Sequence, residues 1–259
     1  PREARLMDPQ QRLILQNSWH AMEDADVDPL SLKNEKVGVY VGAWNDDFKH
    51  LNQKQSFAHL GTGSSNSVLA GRVSYVFGLE GECMTVDTAC SSGLVALKLS
   101  RSSERSIVAG VNVILTPEIH KQFQSAGMLS PDSRCKTFDE RANGYVRSEA
   151  CVVLYLVKTN RITKSIGIVE QAAVNQDGRS NGLTAPNQLA QENVIKDCLE
   201  NSRIKKGKVQ FLEAHGTGTS LGDPIEVKAL TNVHGNGKDK PVLTSIKAKL
   251  GHTEAAAGL

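Results

Sequence analysis

The chain has 259 residues, a formal net charge of +2 and a hydrophobic fraction of 39%, which are ordinary values for a globular protein. Its small and scattered positive charge gives no support for nucleic-acid binding, and no apolar run approaches the roughly 20 residues of a membrane-spanning helix. The five cysteines form an odd set without a CxxC pair. They predict reduced thiols in an intracellular, cytoplasmic protein rather than a disulfide framework or a metal site.

The first part of the chain alternates between helices and apolar strands. Asp8 and Pro9 are typical of a helix start, with an N-cap followed by proline at the first helical position. The polar stretch 44–66 is expected to be a surface excursion. In chain order we predict a helix over 9–25, a strand over 36–42, a helix from 67, a strand over 84–88, a helix over 91–99, and strands over 107–115 and 151–158.

The same alternation starts again at residue 166. The predicted elements are a strand over 166–174, a helix over 188–201, a strand over 209–213, a helix over 223–233 and a strand over 242–246. Strands that alternate with helices favour parallel α/β sheets with helical cover. We therefore predict two similar α/β halves, residues 1–160 and 161–259. The second half reads as truncated, because the chain stops at Leu259 in what resembles the start of a helix.

Cys90 lies in the segment Asp87-Thr-Ala-Cys-Ser-Ser-Gly93, at the predicted turn between a strand and a helix. A helix N-terminus beside the sulfur would favour the thiolate, and its N–H groups could hold an oxyanion. Such a cysteine is a candidate nucleophile. The alternative is a small buried side chain without a chemical role, as free cysteines often are.

His215 follows a predicted strand and opens a glycine-rich turn, His215-Gly-Thr-Gly-Thr219. Glycine allows close approach of the backbone to a ligand, and the hydroxyls of Thr217 and Thr219 can bond to amides. A nucleotide-binding loop is the competing interpretation. The spacing departs from GxGxxG and no Walker lysine is present, so a phosphate site is disfavoured.

His252 repeats this setting, since a strand ends, Lys247 follows, and the histidine stands beside glycine. By itself it could equally be a capping or surface histidine. One cysteine with two histidines is also compatible with a cysteine hydrolase, which would need one histidine held by Asn or Asp. Two equivalent His-Gly sites favour instead two hydrogen-bond donors that converge on one oxyanion, as a decarboxylative condensation requires.

Three segments, Asp87-Thr-Ala-Cys-Ser-Ser92, Glu213-Ala-His-Gly-Thr-Gly-Thr219 and Gly251-His-Thr-Glu254, resemble in this order the active-site signatures of β-ketoacyl synthases. The resemblance covers essentially the whole chain. Gly127-Met-Leu-Ser-Pro131, Phe138-Asp139 with Asn143-Gly-Tyr-Val-Arg147, and the stretch 174–186 are similar to the form found in modular type I polyketide synthases.

The resemblance implies a thiolase-like fold with two layered α/β halves, usually in a homodimer within a larger multidomain chain. It implies condensation of an acyl thioester with a malonyl-type carrier-protein thioester, in polyketide or fatty acid biosynthesis. Cys90 would carry the acyl group, His215 and His252 would promote decarboxylation, and Lys247 would support His252. Thr217 and Thr219 would touch the phosphopantetheine arm of an acyl carrier protein. No cofactor would be bound directly.

Some positions depart from the family pattern. Lys249 replaces the usual Asn and would add a charge near His252, while Ser148 and Ala150 replace glycines. The segment 99–107 is shorter than usual by about two helical turns, which leaves little chain for a crossover. These departures motivate one alternative, a non-catalytic scaffold that retains the fold. A second alternative is a thiolase or a coenzyme-A-dependent condensing enzyme of the same superfamily.

Overall fold

Two separate sheets are formed by the strands of the computed structural model, which describes residues 2–52, 59–159, 165–204, 206–235 and 240–259. The first sheet has the order β2-β1-β3-β4, and the second pairs β5 with β6. The strands of these residues are β1 (Val37–Gly42), β2 (Cys83–Val86), β3 (Arg105–Asn112), β4 (Ala150–Val157), β5 (Phe211–Glu213) and β6 (Val242–Thr244).

Helices precede, connect and follow these strands along the chain. They are α1 (Arg2–Arg5), α2 (Pro9–Asp24), α3 (Asp47–Leu51), α4 (Leu60–Ser64), α5 (Ser67–Phe77), α6 (Ser92–Ser100), α7 (Glu118–Ser125), α8 (Gln188–Glu200), α9 (Gly222–His234) and α10 (Lys247–Leu250). None of the helices in the described ranges is long and apolar enough to cross a membrane.

The helix α2 begins as its sequence predicts. The Asp8 side chain accepts a hydrogen bond from the Gln10 amide at 2.7 Å, and Pro9 occupies the first turn. The helix packs against β4 and buries Ile14 and Met22 completely. The polar excursion 44–66 is partly helical, because it contains α3 and α4, while residues 53–58 lie outside the described residues.

The expectation of parallel sheets does not hold for β4. The strand β1 pairs in parallel with β2 and with β3, whereas β3 and β4 are antiparallel, with Arg105 opposite Val157. The strand β4 is an edge strand of this sheet and is half-buried along most of its length.

The short connection after α6 is long enough for its crossover. The chain passes from β2 through α6 to β3, on the other side of β1, and only residues 101–104 separate α6 from β3. Small buried residues let α6 lie close to the sheet. A Cβ atom on Gly42 of β1 would come within 2.6 Å of the Gly93 amide nitrogen, so this approach requires glycine.

The last residues of the chain cover the same helix. A Cβ on Gly93 would lie 2.9 Å from the Ala255 carbonyl oxygen, and a Cβ on Gly110 of β3 would lie 2.9 Å from the Ala256 Cα. Residues 255–259 therefore pack directly on α6 and β3. The first two of these residues belong to a short 3₁₀ turn, Glu254–Ala256. The sequence predicted the start of a helix at this point.

The predicted strand over 166–174 is wrong. These residues form no strand, and Ile166 and Ile168 are 97% and 63% exposed. A strand needs a partner for its backbone N–H and C=O groups, and the described residues provide none here. The neighbouring elements α8, α9, β5 and β6 do form where the sequence predicts them, with α8 packed on α9.

The chain divides into two compact units that are not continuous in sequence. The first unit contains Pro1–Pro117, Ser148–Gly167 and Thr253–Leu259, and the second contains Glu118–Arg147 and Ile168–His252. The boundary expected between 160 and 161 lies outside the described residues and stays a prediction.

Candidate active site

Cys90 lies in the first unit, in a 3₁₀ turn (Ala89–Ser91) that joins β2 to α6. The preceding residue, Ala89, has a left-handed backbone with φ of 53°. The turn is held by side chains. Ser92 accepts the Thr88 amide at 2.9 Å and donates to the Ala89 carbonyl at 2.6 Å, while Asp87 accepts the Ala89 amide at 3.1 Å. A strained conformation fixed in this way is common where a side chain must be presented for chemistry. The half-buried thiol is thus held at a fixed strand-to-helix turn.

His215 lies in the second unit, two residues after β5. Its amide and that of Gly216 donate to the two carboxylate oxygens of Glu226, at 2.6 and 2.8 Å. Glu226 is on α9 and was not predicted as a site residue. The signal that could have found it is an acidic side chain in the helix that follows a glycine-rich loop.

His252 is 1% exposed and belongs to the same unit. Its amide donates to the Val146 carbonyl at 2.7 Å, and it forms an isolated parallel bridge with Arg147. The Tyr145 ring lies 5.3 Å from the imidazole, between centroids. Both the backbone and the ring of His252 are therefore held against the segment 145–147, which the sequence motifs identified only as part of the family pattern.

The two histidines lie together, with ring centroids 5.3 Å apart and planes at 87°. Burial is the main cause that lowers the pKa of His252 to about 3, with smaller contributions from the neighbouring His215 and the cation of Lys247. His215 is partly exposed, but protein surrounds much of its imidazole. This burial is the main cause that lowers its pKa to about 4, and the cation of Lys247 adds to the shift. Both imidazoles are therefore neutral near pH 7, and each can donate one N–H.

Lys247 is the first residue of α10 and is 7% exposed. Its charge lowers the pKa of both histidines.

Lys249, which was expected to add a charge near His252, is exposed and is not among the groups that shift the pKa of that histidine. Ser148 and Ala150 are not among the residues with positive φ, so neither strains the backbone.

The glycine-rich turn that follows His215 is closed by Asp223 of α9. Its carboxylate accepts the amides of Gly218 and Thr219 at 3.1 and 3.2 Å. Thr217 is buried, and its hydroxyl lies 3.4 Å from that of Thr219. A phosphate group would require free amides in this turn. Carboxylates of Glu226 and Asp223 already occupy those of residues 215, 216, 218 and 219, which argues against a phosphate cradle.

The second unit thus brings together five of the six predicted residues: His215, Thr217, Thr219, Lys247 and His252. Cys90, the sixth, belongs to the first unit. Within the described ranges no group of three or more His, Cys, Asp or Glu side chains could hold a metal ion. The catalytic roles of Cys90, His215, His252 and Lys247 and the binding roles of Thr217 and Thr219 stay predictions.

The chain is similar in sequence to polyketide synthases. The chain is 44% identical over its whole length to part of erythronolide synthase EryA3 of Saccharopolyspora erythraea, and 44% identical to part of the pikromycin polyketide synthase component PikAII of Streptomyces venezuelae. It spans only 9% and 7% of the lengths of these two large proteins.

Solved structures give the same result. The ketosynthase from module 6 of the bacillaene synthase of Bacillus subtilis matches all of this chain, with a TM-score of 0.91 and 38% identity. The chain covers 47% of that ketosynthase. The oxazolomycin ketosynthase domain OzmH KS7 of Streptomyces albus matches 99% of the chain with a TM-score of 0.90 and 35% identity. These matches confirm the thiolase-like α/β fold.

Two family models account for nearly the whole sequence. Residues 1–161 match the N-terminal domain of β-ketoacyl synthases, and residues 166–259 match their C-terminal domain. Together with the relatives among the polyketide synthases, these matches show that the chain belongs to the β-ketoacyl synthase family, in the form found in polyketide synthases.

Proposed function

We propose that this chain belongs to a condensing enzyme of polyketide biosynthesis, which joins an acyl thioester to a malonyl-type thioester with loss of CO₂. The pair of neutral histidines carries this proposal. The ring centroids of His215 and His252 lie 5.3 Å apart, and each neutral imidazole carries one N–H near pH 7. Two neutral donors close together suit the stabilisation of one developing oxyanion.

The first step would occur at Cys90. Its thiolate attacks the carbonyl carbon of an acyl thioester, and the donor thiol leaves as the new thioester bond forms. The fixed turn around Ala89 and Ser92 supports this role, because it holds the sulfur at the start of α6. Helix N-terminal amides favour a negative charge at such a position.

The second step would use the histidines. Loss of CO₂ from the malonyl group leaves an electron pair that becomes an enolate, and the N–H groups of His215 and His252 would donate to its oxygen. The enolate carbon then attacks the acyl carbonyl on Cys90, which releases the cysteine thiolate and a β-ketoacyl thioester. Lys247 supports this chemistry because its charge helps to keep both imidazoles unprotonated.

The substrates would arrive on the phosphopantetheine arm of an acyl carrier protein. The buried Thr217 and its neighbour Thr219 present their hydroxyls at the turn after His215, where they could bond to the amides of that arm. We further propose that the enzyme acts as a homodimer within a larger multidomain protein. A cytoplasmic location is part of the proposal, and the five cysteines support it because none of them forms a disulfide.

The test separates the partial reactions in the full-length protein. A short acyl N-acetylcysteamine thioester should add its acyl mass at Cys90, and Cys90→Ala should abolish this addition. Malonyl thioester should lose CO₂ in a reaction that depends on His252. Acylation that persists in Cys90→Ala would overturn the nucleophile assignment. Condensation with free malonyl-coenzyme A and no carrier protein would instead favour the thiolase-type alternative, and a folded protein without either partial reaction would favour a scaffold.

A further inference from the structure

The three residues Cys135, Lys136 and Thr137, here called the 135–137 strap, contact the loop that carries His215. The Thr137 hydroxyl donates to the Gly216 carbonyl at 2.6 Å. The strap backbone lies against Gly218, where a Cβ atom would come within 2.6 Å of the Lys136 nitrogen. The position therefore needs glycine both for space and for its φ of 80°. The glycine turn after His215 thus rests directly on the strap.

The same strap also reaches His252. Cys135 is 6% exposed, and its sulfur accepts the Val146 amide at 3.2 Å. The Val146 carbonyl in turn accepts the His252 amide at 2.7 Å. Burial raises the pKa of the Cys135 thiol, so the group stays uncharged in this position. Its side chain contributes an acceptor and volume behind Val146, without adding charge.

We propose that the 135–137 strap is a positioning element that sets the separation of His215 and His252, with Cys135 acting through Val146 and Thr137 acting through Gly216. Neither side chain needs to touch the substrate. The inference rests on the proposed decarboxylative function, because the two imidazoles must share one oxygen atom. A displacement of about 1 Å at such a site can reduce a rate by about a hundredfold.

The strap and the carboxylates of α9 bond to different groups of the loop that carries His215. Glu226 and Asp223 hold the amides of residues 215, 216, 218 and 219, whereas the strap holds the carbonyl of Gly216. Those four bonds go to the loop of His215, and Asp223 also accepts the amide of Phe138, next to the strap, at 2.8 Å. The strap is bonded to that loop and, through Val146, to His252. A change in the strap should therefore alter the distance between the two rings.

The experiment compares four strap variants in the full-length protein. Thr137→Val removes the hydroxyl at nearly constant volume, and Cys135→Ala removes the sulfur. Thr137→Ser keeps the hydroxyl, and Cys135→Ser replaces the thiol by a hydroxyl that can also accept the Val146 amide. Cys198→Ala is the matched control, because Cys198 is a half-buried thiol on α8 of the same unit. Each protein is assayed for decarboxylation of malonyl N-acetylcysteamine and for acylation of Cys90 by butyryl N-acetylcysteamine.

We expect Thr137→Val and Cys135→Ala each to slow decarboxylation about tenfold or more, while acylation stays within about twofold of the wild type. The serine variants should recover most of the decarboxylation rate, and Cys198→Ala should resemble the wild type. Unchanged decarboxylation in folded Thr137→Val and Cys135→Ala would overturn the inference. An equal loss of decarboxylation and acylation, in proportion to a loss of folded protein, would also overturn it.

A second readout does not depend on turnover. In protein with ¹⁵N-labelled histidine, NMR titration should show the ring signals of His215 and His252 displaced in Thr137→Val and Cys135→Ala, with their pKa values moved towards about 6.5. Identical titrations in the wild type and both variants would overturn the strap's role. The ring signals could be displaced in the variants while the wild type fails to decarboxylate malonyl thioester. That outcome would support the positioning role of the strap and refute the proposed function.

Discussion

His215 and His252 meet edge to face, with their rings at 87° and 5.3 Å between centroids. They come from loops that follow two parallel neighbours in one small sheet, since β5 precedes His215 and β6 precedes the segment of His252. Carboxyl ends of parallel strands lie at one edge of a sheet, and this brings the two loops together. Their pairing leads to predictions for both chemistry and stability.

The pH dependence of decarboxylation should lack a histidine step near neutrality. With pKa values of about 3 and about 4, His252 and His215 stay neutral down to about pH 5, whereas a solvated histidine titrates near 6.5. We expect the rate of malonyl decarboxylation in stopped-flow or CO₂-release assays to stay flat on the acid side between about pH 5.5 and 8. A half-loss near pH 6.5 in folded protein would contradict this expectation.

The same shifts predict loss of stability in acid. The unfolded chain takes up protons on both histidines below about pH 6.5, while the folded chain does so only near pH 4 and 3. The unfolded state therefore binds more protons in this interval, and the free energy of unfolding should fall as the pH falls through it. Urea unfolding at several pH values measures this slope. In a His252→Phe variant the free energy of unfolding should depend less steeply on pH. An unchanged dependence would be evidence against the low pKa of His252.

Glu226→Gln should weaken the loop of His215. The glutamine amide can accept only one of the two hydrogen bonds that the carboxylate accepts from the amides of His215 and Gly216. We expect the free energy of unfolding to fall by about 1–3 kcal/mol and decarboxylation to slow more than Cys90 acylation does. Glu140→Gln, at an exposed position of the same unit, is the control and should match the wild type. Equal behaviour of the two variants would contradict the role of Glu226.

Ala89→Gly tests the strain beside Cys90. A left-handed backbone costs a non-glycine residue about 1–3 kcal/mol, and glycine removes most of this cost although it loses more entropy on folding. We expect a gain of about 0.5–1 kcal/mol in stability together with slower acylation of Cys90, because the turn becomes looser. Chemical unfolding and intact-protein mass spectrometry measure the two effects. Lower stability in this variant would show that Ala89 is not strained.

Gly42→Ala should disturb the helix that follows Cys90. The added Cβ would lie 2.6 Å from the Gly93 amide nitrogen, so α6 must move away from β1. We expect a loss of about 1–3 kcal/mol in stability and slower acylation. Gly71→Ala on α5 is the matched control, because a Cβ there meets no atom within 4 Å, and it should be neutral or stabilising by up to about 1 kcal/mol. Similar thermal unfolding of the two variants would rule out the close approach.

Local features of the sequence were enough to predict much of the fold. Asp8 and Pro9 define the start of α2, and the apolar run that ends at Gly42 defines β1. Cys90 was correctly placed at a turn between strand and helix for the same reason. These properties depend on neighbours in sequence, and the signal is therefore present in the residues themselves.

Properties that depend on distant partners were not predicted. An apolar run such as β4 is the same in a parallel and an antiparallel pair, and the direction depends on the path of the preceding chain. Residues 166–174 have the composition of a strand but no strand partner in the part of the chain that the structure describes. Glu226 was not predicted, because its bonds reach eleven residues back to His215. Cys135 carried no local signal at all.

The cover of α6 by residues 255–259 also has a consequence for the order of synthesis. All four strands of the first sheet lie before residue 158, so a nascent chain has the complete set well before the ribosome reaches that segment. Gly93 and Gly110, however, are covered by residues 255 and 256, which are made much later. The helix beside Cys90 therefore acquires its final packing only after both histidine loops have been translated.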